Sequence, residues 1–109
     1  MFGAALAVGL MAAVAIEGPL YQQSEVRFKE RALKNTLFTL RTVIDEYTSE
    51  KKKPPVSLND LVSAGYLYAI PVDPMTGTHV WRLVNEAGLF DVRSGSDLSS
   101  LDGTAYSSW

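Results

Sequence analysis

The chain has no cysteine and only one histidine, and these shortages restrict its chemistry. Its 109 residues hold His79 as the single histidine. Without cysteine a disulfide cannot stabilise a small domain. A zinc site or a nucleophile–base pair of the usual kinds would need a cysteine or further histidines. No glycine-rich phosphate loop lies between a strand and a helix start. We therefore expect a protein that is not an enzyme.

Charge is missing from the first sixteen residues, which contain no Asp, Glu, Lys or Arg. As a helix rising about 1.5 Å per residue, this segment reaches roughly 24 Å, which is short of the roughly 30 Å hydrocarbon core of a bilayer. Continuing the helix past Pro19 to Tyr21 closes much of that gap and leaves Glu17 near the membrane interface. We therefore expect the segment to be a marginal membrane anchor and an excellent packing surface.

Three interpretations of this apolar segment stay open. A secretory signal peptide needs a basic residue before its apolar core and small residues at the cleavage site, and neither Met1-Phe2 nor Glu17-Gly18-Pro19 fits well. A simple anchor usually ends in a basic cluster, whereas residues 21–25 intervene before Arg27. The interpretation we favour is a stem that lies in the membrane in the monomer and later packs against copies of itself.

The two parts of the chain that follow the stem carry charges of opposite sign. Residues 25–53 contain eight Lys/Arg and five Asp/Glu, and residues 54–109 contain two and six. This polarity suits attraction between stacked subunits, and two ordinary solvated surfaces are the alternative interpretation. Because the net charge is −2 and the basic residues are scattered, nucleic acid is not an expected partner.

A long helix is predicted from near the N-terminus to about Glu50. Apolar residues recur at spacings of 4, 3, 4 and 3, which places them on one helix face that packs against the rest of the chain. These residues are Leu33, Leu37, Leu40, Ile44 and Tyr47. We expect a bend or local unwinding at Gly18-Pro19, because proline removes a helical hydrogen bond. Lys51–Lys53 complement the helix dipole, or form a basic patch, before Pro54-Pro55 ends the helix.

Short elements follow the prolines. The pattern Ser57-Leu58-Asn59-Asp60 is typical of a capping box, in which the Ser57 and Asp60 side chains satisfy free amides. It predicts a helix from Leu58 to about Ala64, ended by Gly65. The segment Asp73-Pro74-Met75-Thr76-Gly77 then predicts a turn.

A hairpin and a loop complete the predicted head. The β-rich runs His79 to Val84 and Leu89 to Arg93, separated by Asn85-Glu86-Ala87-Gly88, indicate two antiparallel strands. From Ser94 onward no periodicity remains. Because the segment ends in Tyr106 and Trp109, we expect an ordered loop held by those two rings.

An ordered set of motifs resembles a known family. The motifs are Pro-Pro-x-Ser-Leu-x-Asp-Leu-Val-x-Ala-Gly-Tyr-Leu (54–67), Ile-Pro-x-Asp-Pro-x-Thr-Gly (70–77), Trp81, Phe-Asp-Val-x-Ser-Gly-Ser-Asp (90–97) and Asp-Gly-Thr-x-Tyr-Ser-Ser-Trp (102–109). In this order they resemble the major pseudopilin of type II secretion systems and its type IV pilin relatives. The resemblance implies an α+β lollipop fold, with residues 1–24 as the stem helix and residues 25–109 as a head in which the rest of the helix packs on a small antiparallel sheet.

The resemblance also implies a function. It predicts a non-enzymatic subunit that polymerises into a helical filament through its N-terminal helix and drives protein export. A type IV pilin of an extracellular adhesion or motility filament and a monomeric membrane-anchored binding module are the alternatives. The implied partners are copies of the chain, an inner-membrane assembly platform, an assembly ATPase, a prepilin peptidase, minor pseudopilins or pilins and a secretin. The unassembled subunit would lie in the inner membrane, and the filament would be periplasmic or extracellular.

The assembly residues predicted for the stem depart from the family at one point. The stem residues expected in the filament core are Phe2, Leu6, Leu10, Ile16, Glu17, Gly18, Pro19 and Tyr21. The family typically carries a glutamate at the fifth mature position, where aligning the Pro-x-Tyr motif places Phe2. Either the sequence starts at a misplaced position, or the subunit docks without that glutamate. Glu17 is a glutamate at the membrane interface, or it is buried and paired with a neighbouring amine or Arg27.

Calcium is the one cofactor that the sequence suggests. Asp97 and Asp102, with Ser94, Ser96 and nearby carbonyls, supply the hard oxygen ligands that calcium prefers. The resemblance implies a calcium site in the same C-terminal loop, although the acidic pair that usually follows Gly-Thr is here Ala105-Tyr106. An aspartate-rich turn held by its own hydrogen bonds and by packing of Trp109 is the alternative.

Overall fold

The fold of the chain is given by a computed structural model. It describes the backbone of residues 2–86 and 89–109 and the side chains of residues 23–86 and 90–109. The elements in chain order are α1 (Phe2–Lys51), α2 (Leu58–Ser63), β1 (Arg82–Glu86), β2 (Leu89–Arg93) and a short 3-10 helix at Tyr106–Ser108. The predicted α+β class, with a long N-terminal helix and a small antiparallel sheet, is therefore confirmed.

Helix α1 ends close to the predicted position. Its last residue is Lys51, and Lys52 adopts a φ of 61° in the left-handed region where helices commonly end. Pro54 and Pro55 follow after Lys53, and proline cannot continue the helix. The positive charge of Lys51 lies in the last turn, where it complements the helix dipole. Helix α1 runs through Gly18-Pro19 as one element, so the local unwinding predicted there as one alternative is not observed. A bend at this point stays a prediction.

One side of α1 carries the core of the head. The α1 residues in this core are Leu33, Leu37, Leu40, Ile44 and Tyr47. They pack with Leu58 and Leu61 of α2, Val92 of β2, Trp81 and Tyr106. Burying one large apolar side chain is worth about 1.5–3 kcal/mol. A small sheet that would be unstable alone is thereby held against the helix.

The sheet is a two-stranded hairpin that packs on α1 through its second strand. Leu83 pairs with Val92 and Asn85 pairs with Phe90 in an antiparallel register. Side chains two residues apart lie on the same face of a strand, so Phe90 and Val92 both face the helix side. Val92 is fully buried, whereas Leu83 on β1 is 43% exposed. Strand β1 is thus the outer strand of the hairpin.

The first strand lies three residues later than predicted. The sequence pattern indicated a strand from His79, but β1 begins at Arg82. The side chains of residues 79 and 81 bond to the segment at residues 70–71 instead. His79 Nδ1 lies 2.8 Å from the carbonyl oxygen of Ile70, and Trp81 Nε1 donates to the carbonyl oxygen of Pro71 at 2.9 Å. At its other end β1 includes residues 85 and 86, which were predicted in the connection. Residues 87 and 88 lie outside the described part of the chain.

The predicted capping box is wrong in one part. Ser57 has an extended backbone, and its hydroxyl makes no capping hydrogen bond to α2. Asp60 does accept a backbone amide, as the capping box predicts. Its Oδ2 accepts a hydrogen bond from the amide of Val56 at 2.8 Å, whereas the pattern predicts the amide of Ser57, the next residue. Helix α2 ends at Ser63, and Gly65 follows with a φ of +83°, which a residue with a Cβ rarely adopts.

Candidate functional site

Asp73 is the centre of a buried hydrogen-bond network that joins two loops of the head. Its side chain is fully buried, and its carboxylate accepts hydrogen bonds from Ser94 Oγ at 2.7 Å, Gly95 N at 2.8 Å and Met75 N at 2.9 Å. Its own amide donates to the carbonyl of Thr78 at 2.8 Å. A buried carboxylate is costly unless it is hydrogen-bonded, and here several donors satisfy it. Asp73 thereby fixes the segment after β2 to the turn at residues 73–78.

Gly95 allows these two loops to approach closely. A Cβ at this position would lie 2.9 Å from the carbonyl oxygen of Val80, closer than real Cβ contacts come. A larger residue would push the segment after β2 away from the carboxylate of Asp73. The sequence indicated a turn at residues 73–77 but did not indicate that Asp73 is buried, because the partners Ser94 and Gly95 are distant in sequence.

Two of the predicted calcium-loop serines have structural partners. Ser94 is fully buried and donates its hydroxyl to Asp73. The same hydroxyl oxygen accepts the amide of Ser96 at 3.1 Å. Ser96 is buried in turn, and its Oγ accepts the amide of Leu98 at 3.1 Å. Both hydroxyls therefore shape the chain as it leaves β2.

Asp97 lies on the surface beside a cation. Its side chain is 90% exposed and forms an ion pair with the guanidinium of Arg82 on β1. The same guanidinium lies 3.3 Å from the carbonyl oxygen of Gly95. An exposed pair of this kind contributes about 1 kcal/mol or less. Asp97 is thus linked to the hairpin by a basic side chain.

Asp102 is held by hydroxyl groups of its own loop. Its Oδ1 accepts hydrogen bonds from Ser100 Oγ and from the amide and hydroxyl of Thr104, the last two at 3.1 Å and 2.7 Å. The hydrogen bond from Ser100, and then those from Thr104, lower the pKa of this carboxyl to about 2. This arrangement is a turn closed by side-chain hydrogen bonds, as in the second sequence interpretation.

The arrangement of these carboxylates constrains where calcium would fit. In the part of the chain that the structure describes, no three His, Cys, Asp or Glu side chains cluster as a metal site. Calcium also uses hydroxyl and carbonyl oxygens, so this observation does not decide the question. The guanidinium of Arg82 beside Asp97 is a more direct obstacle, since a cation there would be repelled unless Arg82 moved. Calcium binding stays a prediction.

The C-terminal loop is attached to α1 by Tyr106 and Glu30. Tyr106 is buried, and its hydroxyl donates to Glu30 Oε2 at 2.8 Å. The same oxygen accepts the amide of Leu101 at 3.1 Å. Burial, and then the hydrogen bond to Glu30, raise the pKa of Tyr106 to about 12. The ring of Tyr106 meets that of Trp109 edge to face, with centroids 5.2 Å apart.

Arg41 joins the end of the loop to the sheet. Its Nε donates to Asp91 Oδ1 at 2.9 Å, and its Nη2 donates to the main-chain oxygens of Val92 at 3.0 Å and of Trp109. The indole of Trp109 donates to Thr104 Oγ1 at 2.8 Å. A single helix side chain therefore fixes both strand β2 and the position of the Trp109 ring.

The helix residues that hold the loop were missed by the sequence analysis, although a signal for them was present. Glu30, Lys34 and Arg41 recur at spacings of 4 and 7, which defines a charged helix stripe beside the apolar one that contains Leu37. The Lys34 ammonium lies 4.8 Å from the centroid of the Trp109 ring, within reach of a cation–π interaction. Charged residues at helical spacing usually indicate a solvated helix face, so the pattern alone does not predict that these side chains bind the loop.

A groove of 540 Å³ runs between this stripe and the C-terminal loop. We call it the Phe38 groove. Its lining residues are Lys34, Leu37, Phe38, Arg41, Thr42, Asp45, Asp102 and Trp109. Phe38 is 73% exposed there, although it lies between helix turns that support the core. Large aromatic side chains exposed beside a groove are typical of interaction sites.

The part of α1 that precedes the head carries a second exposed aromatic side chain. Phe28 is 69% exposed and lies against shallow depressions lined by Ser24, Glu25 and Lys29 on one side and by Arg31, Ala32 and Asn35 on the other. We call this surface the Phe28 patch. From residue 23 onward, where the side chains are described, no helical stretch is long and apolar enough to cross a membrane. The predicted filament-core residues between Phe2 and Tyr21 lie outside the described side chains.

Comparisons with protein-family models, with curated proteins and with solved structures find no significant match to this chain.

Proposed function

We propose that the chain is a structural subunit that polymerises into a helical filament through its N-terminal helix, as the major pseudopilin of a type II secretion system. The observation that carries the proposal is the arrangement of α1. The helix packs the head through residues from Leu33 onward, whereas the described residues before it, 23–29, are exposed or only partly covered. The uncharged residues 1–16 precede that exposed part.

The assembled state has to keep the apolar stem out of water. The uncharged residues 1–16 are out of water in a bilayer, and packing against other stems satisfies them equally well. Removing apolar area from water is worth roughly 25 cal/mol per Å². Contacts between different surfaces of identical subunits generate open helical filaments when the rotation does not close. The family resemblance of the head motifs supports the same function.

The proposal names partners and a location. The subunit would wait in the inner membrane, where a prepilin peptidase, an assembly ATPase and a platform protein act on it, and the filament would extend into the periplasm towards a secretin. Export of folded proteins would then stop when this gene is deleted. If deletion left export intact but removed surface fibres, the chain would be the pilin of an extracellular filament instead.

The experiment that tests polymerisation uses the full chain together with an assembly machinery. Electron microscopy of sheared cell material should show filaments for the unchanged chain and none for Leu6→Asp or Leu10→Asp, because a buried charge in the bundle is costly. Leu6→Ile and Leu10→Ile are the matched controls and should assemble, because they keep the apolar volume. Normal filaments from the Asp variants would leave the stem as a membrane anchor only and overturn the proposal.

A further inference from the structure

The Phe28 patch and the Phe38 groove are two different surfaces of the same helix. Phe28 and Phe38 are ten residues apart, and at about 100° per residue their side chains point about 80° apart around the helix axis. Both rings are exposed in the single chain. One copy can therefore use its patch and its groove at the same time without the two contacts competing.

The outermost α1 charges that flank the two rings complement one another in only one orientation, while Lys29 also lines the patch and Arg41 and Asp102 also line the groove. Along α1 the patch has Glu25 before Phe28 and Arg31 after it, while the groove has Lys34 before Phe38 and Asp45 after it. None of these four charged side chains forms an ion pair with another described residue. When the two helices run parallel, the negative Glu25 of the patch therefore faces the positive Lys34 of the groove. The positive Arg31 of the patch then faces the negative Asp45. An antiparallel arrangement of patch on groove would oppose Glu25 with Asp45.

We infer that the Phe38 groove of one subunit receives the Phe28 patch of a second copy, with the two α1 helices parallel and displaced. The inference rests on the proposed filament function and names the contact by which successive heads dock. Placing Phe28 between Phe38 and Thr42 displaces the second copy by about 12 residues, or roughly 18 Å along the helix. This shift puts Arg31 of the second copy near Asp45 and its Glu25 near Lys34.

The remaining groove residues suit this occupant. Trp109 and Leu37 provide an apolar side for the inserted ring. Arg41 lies in the same groove, but its guanidinium is engaged by Asp91 and by two main-chain oxygens, so its charge is largely matched within its own subunit. Because the patch and the groove differ, each copy presents one free surface at either end of a stack. Such a contact propagates instead of closing into a dimer.

Cysteine cross-linking tests the direction and register, since the chain contains no cysteine of its own. The full-length variants Arg31→Cys and Thr42→Cys are co-expressed and oxidised in the membrane and in filaments. The shift of 12 residues places these two positions one residue apart in height along the paired helices, and a disulfide forms if their Cα atoms also approach to about 4.4–6.8 Å. We expect a mixed disulfide dimer from the pair and little from either variant alone. Efficient dimers of Phe38→Cys alone would indicate a two-fold antiparallel contact and overturn the inference.

Charge reversal provides an independent test. Arg31→Glu and Asp45→Arg should each reduce filament number about tenfold, and the double variant should restore it, because like charges across an interface are repelled. Glu46→Arg is the matched control, since this exposed carboxylate is adjacent to Asp45 but points about 100° away around the helix. Arg31 and Asp45 are both exposed, so the variants should melt like the unchanged chain.

The outcomes separate this contact from filament formation itself. One result is that filaments form although the Arg31→Cys and Thr42→Cys variants give no cross-link, and another is that their number is unchanged by both charge reversals. Either result would overturn the contact and leave the proposed function standing. Cross-linked dimers in the membrane from a chain that never forms filaments would support the contact and overturn the proposed function.

Discussion

The two sides of the head are held to α1 by different forces. On one side, apolar side chains of α1, α2 and β2 pack into a core around Leu40 and Leu61. On the other side, the C-terminal loop is attached through Glu30 and Arg41 and contains few buried apolar groups besides Tyr106. The first attachment depends on the exclusion of water, and the second depends on hydrogen bonds with particular partners.

This difference affects how each side should respond to mutation. Dispersion and hydrophobic burial are spread over many contacts, so a cavity is felt by the whole core. A hydrogen bond contributes about 0.5–1.5 kcal/mol net, but leaving its buried partner unsatisfied costs about 1–3 kcal/mol. Large effects from polar groups should therefore be confined to the few that are fully buried, of which Asp73 is the foremost example.

Truncating the apolar side should have the largest effect. Leu40→Ala should lower the free energy of unfolding by about 2–5 kcal/mol, because Leu40 is fully buried and the cavity cannot collapse completely. Phe38→Ala, two residues earlier and exposed, is the matched control and should change it by about 0.5 kcal/mol or less. Chemical denaturation of the full chain in detergent micelles measures both. Equal losses would show that the head does not pack on α1 as described.

The buried carboxylate should come next. Asp73→Asn replaces an acceptor oxygen by an amide that donates towards Ser94 Oγ and the amide of Gly95, and we expect a loss of about 1–3 kcal/mol. Asp97→Asn is the matched control, since that carboxylate is exposed and its pair with Arg82 is worth about 1 kcal/mol or less. The same denaturation measurement applies. A smaller loss at Asp73 than at Asp97 would contradict the buried network.

The apolar side could be predicted because its information is local. The spacing of Leu33, Leu37, Leu40, Ile44 and Tyr47 depends only on the helical period, and these residues do lie in the core. The end of α1 followed from Pro54-Pro55 for the same reason. The start of β1 could not be predicted in this way. The β-rich pattern begins at His79, but the side chains of residues 79 and 81 bond to residues 70 and 71, and the strand begins only after them.

The polar side could be predicted only in outline. The rings of Tyr106 and Trp109 suggested an ordered loop, but their partners Glu30 and Arg41 lie more than sixty residues away along the chain. Most charged side chains on a helix surface are solvated, so the sequence does not reveal which of them binds a loop. Asp73 could not be identified for the same reason. Its sequence context predicts an ordinary turn residue, and only the folded structure brings Ser94 into hydrogen-bond contact with it.

Acid should weaken the polar side before the apolar side. The folded-state pKa of Asp102 is lowered from 3.8 to about 2 by hydrogen bonds from Ser100 and Thr104. Its contribution to stability is therefore fully present above about pH 4 and is lost as the pH falls towards 2. The melting temperatures of the unchanged chain and of Asp102→Asn should converge over this interval. Because Asp102 is exposed, we expect a small difference, and parallel curves would exclude its role.

Calcium should give the smallest effect, because Arg82 already matches the charge of Asp97. Any ligand that binds only the folded state stabilises it by RT ln(1 + [L]/Kd), so weak binding at millimolar calcium should raise the melting temperature by a few degrees at most. Arg82→Gln removes the competing cation and should enlarge the rise, whereas Asp97→Ala should abolish it. Magnesium is the control, since it demands a more rigid octahedral site. Equal melting temperatures in calcium and in chelator for the unchanged chain and for Arg82→Gln would contradict the calcium prediction.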